Sequence, residues 1–457
     1  MINNTKKKNP VKVNLPQNYR NEYLFSETYL EEITKRPVTD ENLRASLQTI
    51  KEWREYADKT LLEQWITTYI EPVLDTLGFG HHKDQKEQAN ILVLFPDIDK
   101  TQPMSLCYAV PPGEDIDCTL KGKHWAEKII RSLRKHNFQW GILTDGFDWR
   151  IYHTKESTPY ETYLEIDLEN ILKSENYTAF QLFYFFFRPD NFARGENEEC
   201  KFDTYKKKSA KTIEYIEENL RAAIERTEVG GEGALQTLCL GYLHTLNKDT
   251  YSEEENIRIY RGATLYLFRL LFLFYASARN LLKEENIEAF KSIVQDSFRL
   301  HNEGRAQSNS YDLWLCLQGL FAEIDLTYDG GLFNPHESNL TRFIEETRIT
   351  DPFLSEVVFG LAYYQRSKQN FVLIEYRDLS VRHLGSLYEG LLEHKLFIAE
   401  ENTVIRKSGN KILFIPESKA IKITRSGTIL PKGKVYFSED AKKRKLTGSY
   451  YTPRRCC

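Results

Sequence analysis

The chain has 457 residues, 41% of them hydrophobic, and a net charge of −4, which predicts a globular protein of two or three domains. The near-neutral charge argues against a general nucleic-acid-binding protein, and seven Cys without a CxxC motif exclude a zinc knuckle or disulfide framework. Neither a secretory signal nor an apolar run of about 20 residues is present, so we expect a cytoplasmic protein without a membrane partner.

The first strong signal is a helix over residues 61–77, where apolar side chains recur at spacings of three and four before Gly78. A small α/β unit should follow, since short apolar runs bounded by Pro and turn residues alternate with one amphipathic run. The predicted strands lie at residues 89–95, 104–110, 139–144 and 149–153, and the predicted helix at residues 124–136. One sheet with flanking helices is typical of small nuclease folds.

From about residue 176 the pattern is helical as far as residue 400. The segment Ile257 to Leu282 is apolar on most faces, which predicts a buried central helix. A Gly-rich loop at Tyr328 to Pro335 interrupts this region, and short strands with turns follow residue 400. We therefore divide the chain into an N-terminal extension (1–50), a nuclease-like α/β domain (51–165), a mainly α-helical spacer (175–400) and a linker (401–457).

A candidate metal ligand is Asp97, in the Pro-Asp pair after the strand ILVLF. A PD-(D/E)xK nuclease uses Mg²⁺ to polarise the phosphate and to generate hydroxide, so the next strand must supply a carboxylate and a Lys as ExK or DxK. Here that strand reads MSLCYAV and offers no acidic or basic side chain. The sequence therefore predicts a degenerate nuclease site.

A migrated site is the alternative, with Glu114 and Lys121 joining Asp97 as catalytic residues and Glu63 or Glu71 as further ligands. The run GEDID around Glu114 also fits a solvated turn with acidic capping of the next helix, which we favour. The adjacent His81 and His82 point apart on most backbones, which argues against a metal site there.

Several blocks resemble type IIG restriction–methylation enzymes and occur in the order of that family. GILTDG with WRIY resembles the end of the N-terminal nuclease-like domain, and three further blocks resemble the helical spacer: LYLFRLLFLFYASARNLL, GGLFNP and IEYRDLSVRHLGSLYEGLLEHKL. RKLTGSYYTP resembles the entry to the methyltransferase domain. The resemblance covers roughly residues 60–453.

The resemblance implies a full-length protein that methylates adenine N6 in DNA with S-adenosylmethionine, and that cleaves DNA with Mg²⁺ if its nuclease site is active. It places Tyr450, Tyr451, Thr452 and Pro453 beside the cofactor. The chain shows neither a cofactor-binding Gly loop nor an (N/D)PP(Y/F) motif, and after Pro453 it reads only RRCC. We therefore expect a truncated polypeptide that binds no S-adenosylmethionine and has neither activity alone.

Two partners follow from this interpretation: DNA, and a methyltransferase part that is encoded separately. The alternative is a stand-alone, non-catalytic protein of a phage-defence system that docks on DNA or on a partner. Local basic clusters could contact phosphate, although a solvated face explains most such runs equally well. They are the N-terminal KKKNPVK, the run Lys206 to Lys211 after Tyr205, and KKRK at Lys442 to Lys445.

Overall fold

A computed structural model shows two compact units, Met1–Glu214 and Tyr215–Cys457. The first unit is α/β and the second is mainly helical, which confirms that an α/β part precedes a helical part along the chain. The structure describes residues 18–35, 42–84, 90–97, 102–111, 113–117, 119–120, 123–155, 157, 162–195, 197–225, 232–303, 310–328, 331–367, 370–392, 394–408, 411–419 and 428–439.

A seven-stranded sheet forms the centre of the first unit. The strands of this unit are β1 Tyr19–Glu22, β2 Gly80–Lys83, β3 Ile91–Phe95, β4 Ser105–Ala109, β5 Thr119–Leu120, β6 Lys123–His124, β7 Trp140–Thr144, β8 Asp148–His153 and β9 Tyr163–Asp167. The sheet order is β1-β9-β8-β7-β4-β3-β2, while β5 and β6 pair separately. All sheet neighbours are antiparallel except β4 and β7. Because β1 joins this sheet, the sheet takes in residues that the sequence assigned to an N-terminal extension.

Seven α-helices lie wholly in the described part of this unit: α1 Glu27–Thr34, α2 Leu43–Ala57, α3 Glu71–Leu77, α4 Trp125–His136, α5 Leu168–Ser174, α6 Tyr177–Phe186 and α7 Pro189–Phe192. The helix α8 Lys201–Glu225 begins in this unit and continues past its last residue, Glu214. The helix predicted over residues 61–77 is present in three pieces, a 3₁₀ turn, a π-helical turn at Ile66–Ile70 and α3. Pro72 has no N–H to continue the regular hydrogen bonding. Gly78 ends α3 at a φ of 95°, as predicted.

The sheet is covered on both faces. Cys107, Ala109 and Ile142 belong to a core that includes side chains of α3 and α6, while Tyr108 and Leu143 belong to a second core on the α4 side. The helix α4 makes the crossover that the parallel pair β4 and β7 requires. The predicted β7–β8 hairpin is confirmed, and the five side chains expected to pack in it are all buried: Trp140, Ile142, Leu143, Trp149 and Ile151.

The second unit is built on long helices: α9 Ala234–Leu246, α10 Glu253–Ala278, α11 Glu284–Glu303, α12 Asp312–Tyr328, α13 Asn339–Glu346, α14 Asp351–Ala362 and α15 Val381–Leu392. The helix α10 is the predicted central helix, and its side chains between Ile259 and Ala276 are largely buried. Arg269 is fully buried within it and donates to the Leu332 carbonyl and the Glu345 carboxylate. Across the described residues, every helix is too short or too polar to cross a lipid bilayer.

Short strands complete the second unit: β10 Tyr363–Ser367, β11 Asn370–Leu373, β12 His394–Ile398, β13 Thr403–Ser408, β14 Lys411–Pro416, β15 Thr428–Leu430 and β16 Val435–Glu439. β10 pairs with β11, β12 pairs with β16, and β13 lies between β14 and β15. The short strands predicted after residue 400 are therefore confirmed.

Candidate functional site

The predicted nuclease residues lie at opposite ends of one hairpin. β3 and β4 are antiparallel, with Leu94 opposite Ser105 and Ile91 opposite Tyr108. Asp97 follows the end of β3 and Glu114 follows the end of β4, so the length of the hairpin separates them, on the order of 20 Å at a rise of about 3.3 Å per residue. The structure therefore does not bring Asp97 and Glu114 together. Lys121 lies outside the described residues, as do Tyr450, Tyr451, Thr452 and Pro453.

The end of β4 lies beside the start of β3, next to Asn90. The Ala109 N–H donates to the Asn90 carbonyl at 2.9 Å, and the Val110 N–H donates to the Thr144 carbonyl at 2.8 Å. At this carboxyl edge of the sheet, where β4 and β7 both end, a shared metal would need a carboxylate at position 90. The chain has an amide there. The sequence held a signal for this, since nine residues join β3 to β4 and so short a connection gives an antiparallel pair.

The side chains of β4, and of Val110 after it, are packed into the core. Cys107, Tyr108, Ala109 and Val110 are each 2% exposed or less, and burial raises the pKa of the Cys107 thiol. Among the described residues, no three His, Cys, Asp or Glu side chains are grouped to hold a metal ion.

The other candidate ligands have separate partners or face solvent. His81 Nε2 lies 2.9 Å from Asp75 Oδ1, whereas the His82 ring packs on Phe95 at 5.2 Å. Glu71 lies 3.5 Å from Lys83, and Glu63 is exposed. None of these side chains is directed to a common centre with Asp97.

The turn between β7 and β8 brings two half-buried carboxyl groups, those of Asp145 and Asp148, to the carboxyl edge. Asp145 Oδ1 accepts hydrogen bonds from the N–H groups of Phe147 and Asp148, each at 2.8 Å. Gly146, which follows Asp145 in this turn, has a φ of 95°, and a Cβ atom there would lie 2.6 Å from the Trp65 indole. Burial raises the pKa of Asp145. Burial and then the neighbouring carboxylates, Glu165 first, raise the pKa of Asp148 to about 7.

An ion cluster beside this turn is centred on Arg150, which is 2% exposed. Its guanidinium donates two hydrogen bonds to Asp117, at 2.6 and 3.0 Å, and another to Glu165. The hydrogen bonds from Arg150 are the main reason why the pKa of Asp117 is lowered. The cluster ties the acidic run that begins at Glu114 to the sheet, and it leaves no free guanidinium edge for a phosphate.

The favoured interpretation of that acidic run needs one correction. His124 caps α4, because its Nδ1 accepts the Ala126 N–H at 3.0 Å. Asp117 instead pairs with Arg150, and Asp115 Oδ1 accepts the Asp117 N–H at 2.7 Å within the loop. The acidic residues therefore do not cap the helix. The sequence reasoning missed Arg150 as a site residue, although an Arg inside the strand WRIY was a visible signal.

Comparison with known proteins gives no relative: no protein-family model matches the chain, and no curated protein or solved structure is significantly similar to it. The resemblance to type IIG enzymes thus depends on the sequence blocks, and it stays a prediction.

Proposed function

We propose that the chain is the nuclease-like and spacer part of a cytoplasmic, type IIG-like restriction–modification protein, and that its α/β unit contains no DNA-cleavage site. The order of elements supports the nuclease-like fold: helix α3, the antiparallel strands β2, β3 and β4, the crossover helix α4, and β7 parallel to β4. The observation that carries the proposal is β4. In the nuclease-like arrangement that we propose, β4 corresponds to the catalytic strand, yet its residues Ser105–Ala109 are all buried and none is charged.

Cleavage by Mg²⁺ needs carboxylates for the ion and a Lys near the attacking water. At the carboxyl edge the corresponding positions hold Asn90, Tyr108 and Val110. The Tyr108 ring packs 5.9 Å from Trp125 in the α4-side core. An amide brings no charge to a metal site, and a packed phenol and an alkyl group supply neither a carboxylate nor the Lys that activates water. We propose that this unit has a binding or positioning role.

The helical unit suits the role of a rigid spacer. In the most specific family block, the buried Tyr376 donates its hydroxyl hydrogen to the Leu361 carbonyl at 2.9 Å and stacks on Phe274 of α10. Tyr260 of α10 donates to the Leu391 carbonyl of α15 at 2.6 Å. Both ends of the block are thereby fixed to the central helix. We propose that this block orients a methyltransferase domain, which uses S-adenosylmethionine to methylate adenine N6 in DNA.

The test is to express the coding sequence together with the DNA that follows it, in a host without adenine methyltransferases, and to measure N6-methyladenine by mass spectrometry. We expect methylated adenine, and its loss when residues 215–457 are deleted in frame. Host DNA without any N6-methyladenine would reject the restriction–modification assignment. The stand-alone docking protein would be favoured if the purified chain still bound duplex DNA.

A further inference from the structure

A cavity of about 550 Å³ opens among α1, α6, α7 and α8 in the first unit. Its volume lies within the range of small-ligand pockets. Aromatic rings of Tyr29, Phe185 and Tyr205 form one part of its lining, and the cationic side chains of Arg188 and Lys208 form another. None of its lining residues belongs to β4 or to the carboxyl edge of the sheet, so the cavity is separate from the candidate nuclease site.

The aromatic part of the lining is held in place by ring packing. The Tyr205 ring lies 6.1 Å from Tyr29 and 6.3 Å from Phe185, and it packs edge-on against Phe202 behind it. Burial raises the pKa of Tyr205 to about 12, so its hydroxyl remains a hydrogen-bond donor at neutral pH. A wall of this kind offers apolar ring surface together with phenol donors, which suits a flat heterocycle.

The charged part of the lining carries three cations, Arg188, Lys201 and Lys208, against two carboxylates. One of those carboxylates, Asp190, accepts a 3.4 Å hydrogen bond from Lys201. The Arg188 guanidinium lies 5.0 Å from the Tyr184 ring, and the Lys208 ammonium lies 5.8 Å from the Tyr29 ring. Lys208 is therefore positioned beside the aromatic wall, and Arg188 lines the same cavity.

The basic run on α8 divides between different faces of the helix. Lys206 donates to the Leu24 carbonyl at 3.1 Å, and Lys207 pairs with Glu199. Neither lines the cavity, whereas Lys208 does. The charge that the cavity presents is thus a selected set of side chains from three helices and not the whole run.

We propose that this cavity binds a nucleotide, with its base against Tyr29, Phe185 and Tyr205 and its phosphate near the three cations. Bases stack on aromatic side chains with little dependence on sequence, and cations at the same site neutralise the phosphate. The same chemistry is offered by a free mononucleotide and by a nucleotide within a single DNA strand. Two probes separate these sources.

The test measures the binding of dAMP by calorimetry and of a fluorescein-labelled single-stranded 12-mer by anisotropy, with the full chain. The variant Lys201→Gln/Lys208→Gln removes two lining charges, and Lys207→Gln/Lys211→Gln is a charge-matched control on exposed positions of α8. We expect at least tenfold weaker binding for the lining variant and less than twofold for the control. For the 12-mer, the lining variant should reduce the slope of log K against log salt by about 1.4.

Binding of dAMP with these variant effects supports the site and identifies a free nucleotide as ligand; binding of the 12-mer alone supports it and identifies a DNA strand. Three results overturn the proposal: neither probe binds, the control variant loses as much affinity as the lining variant, or inorganic phosphate binds as tightly as dAMP. Equal thermal unfolding midpoints of the variants show that each remains folded.

Discussion

Among the residues that the structure describes, each unit has one buried arginine, and the two are neutralised in different ways. Arg150 in the first unit has two carboxylate partners, Asp117 and Glu165. Arg269 in the second has one carboxylate, Glu345, and one backbone carbonyl, and its guanidinium lies 5.2 Å from the Phe321 ring. A buried charge is tolerated only with paired and hydrogen-bonded partners. In the first unit, Arg150 therefore holds two carboxylates together at the carboxyl edge of the sheet. In the second unit, Arg269 of α10 joins the loop at Leu332 to Glu345 of α13.

The largest effect is expected from Arg150→Met. Removing the cation leaves the largely buried Glu165 without its partner, near Asp148, and removal of one partner from a buried pair costs about 3–5 kcal/mol. Asp117 adds a smaller loss, because its side chain is 62% exposed and lies 3.5 Å from His124. Urea unfolding followed by tryptophan fluorescence should show this loss, because five of the six Trp residues lie in the first unit. The matched control in the same unit is Arg20→Met, which removes a more exposed pair with Glu22 and should change stability by less than about 1 kcal/mol. Equal stability of both variants would contradict the role of the cluster.

Arg269→Met should cost less, about 2–3 kcal/mol, because only one carboxylate loses its partner and methionine refills the space between the aromatic rings. Far-UV circular dichroism during urea unfolding reports the helices of both units, so the change in it that tryptophan fluorescence does not share belongs mainly to the second unit. The tryptophan-monitored transition should stay near its wild-type midpoint. If the midpoint of the fluorescence transition shifts as much as the midpoint of the circular dichroism transition, the two units unfold together and not separately.

A smaller, pH-dependent effect is expected from Asp148→Asn. The pKa of Asp148 is raised to about 7 in the folded state, above its usual value near 4. The folded state therefore binds a proton more tightly than the unfolded state, and this carboxyl group lowers stability progressively as pH rises from about 4 to 7. The amide variant should be more stable than wild type at pH 8, by about 1 kcal/mol after allowance for solvent exposure, and not at pH 4. An equal difference at both pH values would refute the assignment.

Elements with strong local patterns, and the β7–β8 hairpin, could be predicted from the sequence, whereas pairing between distant strands could not. The apolar runs of β3, β4 and β7 and the amphipathic α4 carry their own signals. β1 does not, because YRNE shows no alternation of apolar and polar residues and pairs with β9, more than 140 residues away. The same gap affected the candidate site. A Pro-Asp pair after an apolar strand identified Asp97, but the antiparallel pairing that the short connection indicates places the start of β3, and not its end, beside the end of β4.

The ion cluster and the cavity illustrate a second limit. The acidic run near Glu114 and the Arg in WRIY were both visible, yet their pairing joins a loop to a strand 33 residues away. The basic run after Tyr205 was visible as a phosphate-binding candidate, but the helix directs Lys206 and Lys208 to different surroundings. Sequence spacing identified these charges, and tertiary packing decides which of them share a site.

The most direct test of the central claim, a nuclease-like unit without a cleavage site, is incubation of supercoiled plasmid with the purified chain and Mg²⁺ or Mn²⁺. The account predicts no nicked or linear product beyond that of the metal ion alone, because position 90 and the strand β4 supply no carboxylate. Metal-dependent cleavage that disappears in Asp97→Ala, or in Asp148→Asn, would contradict it.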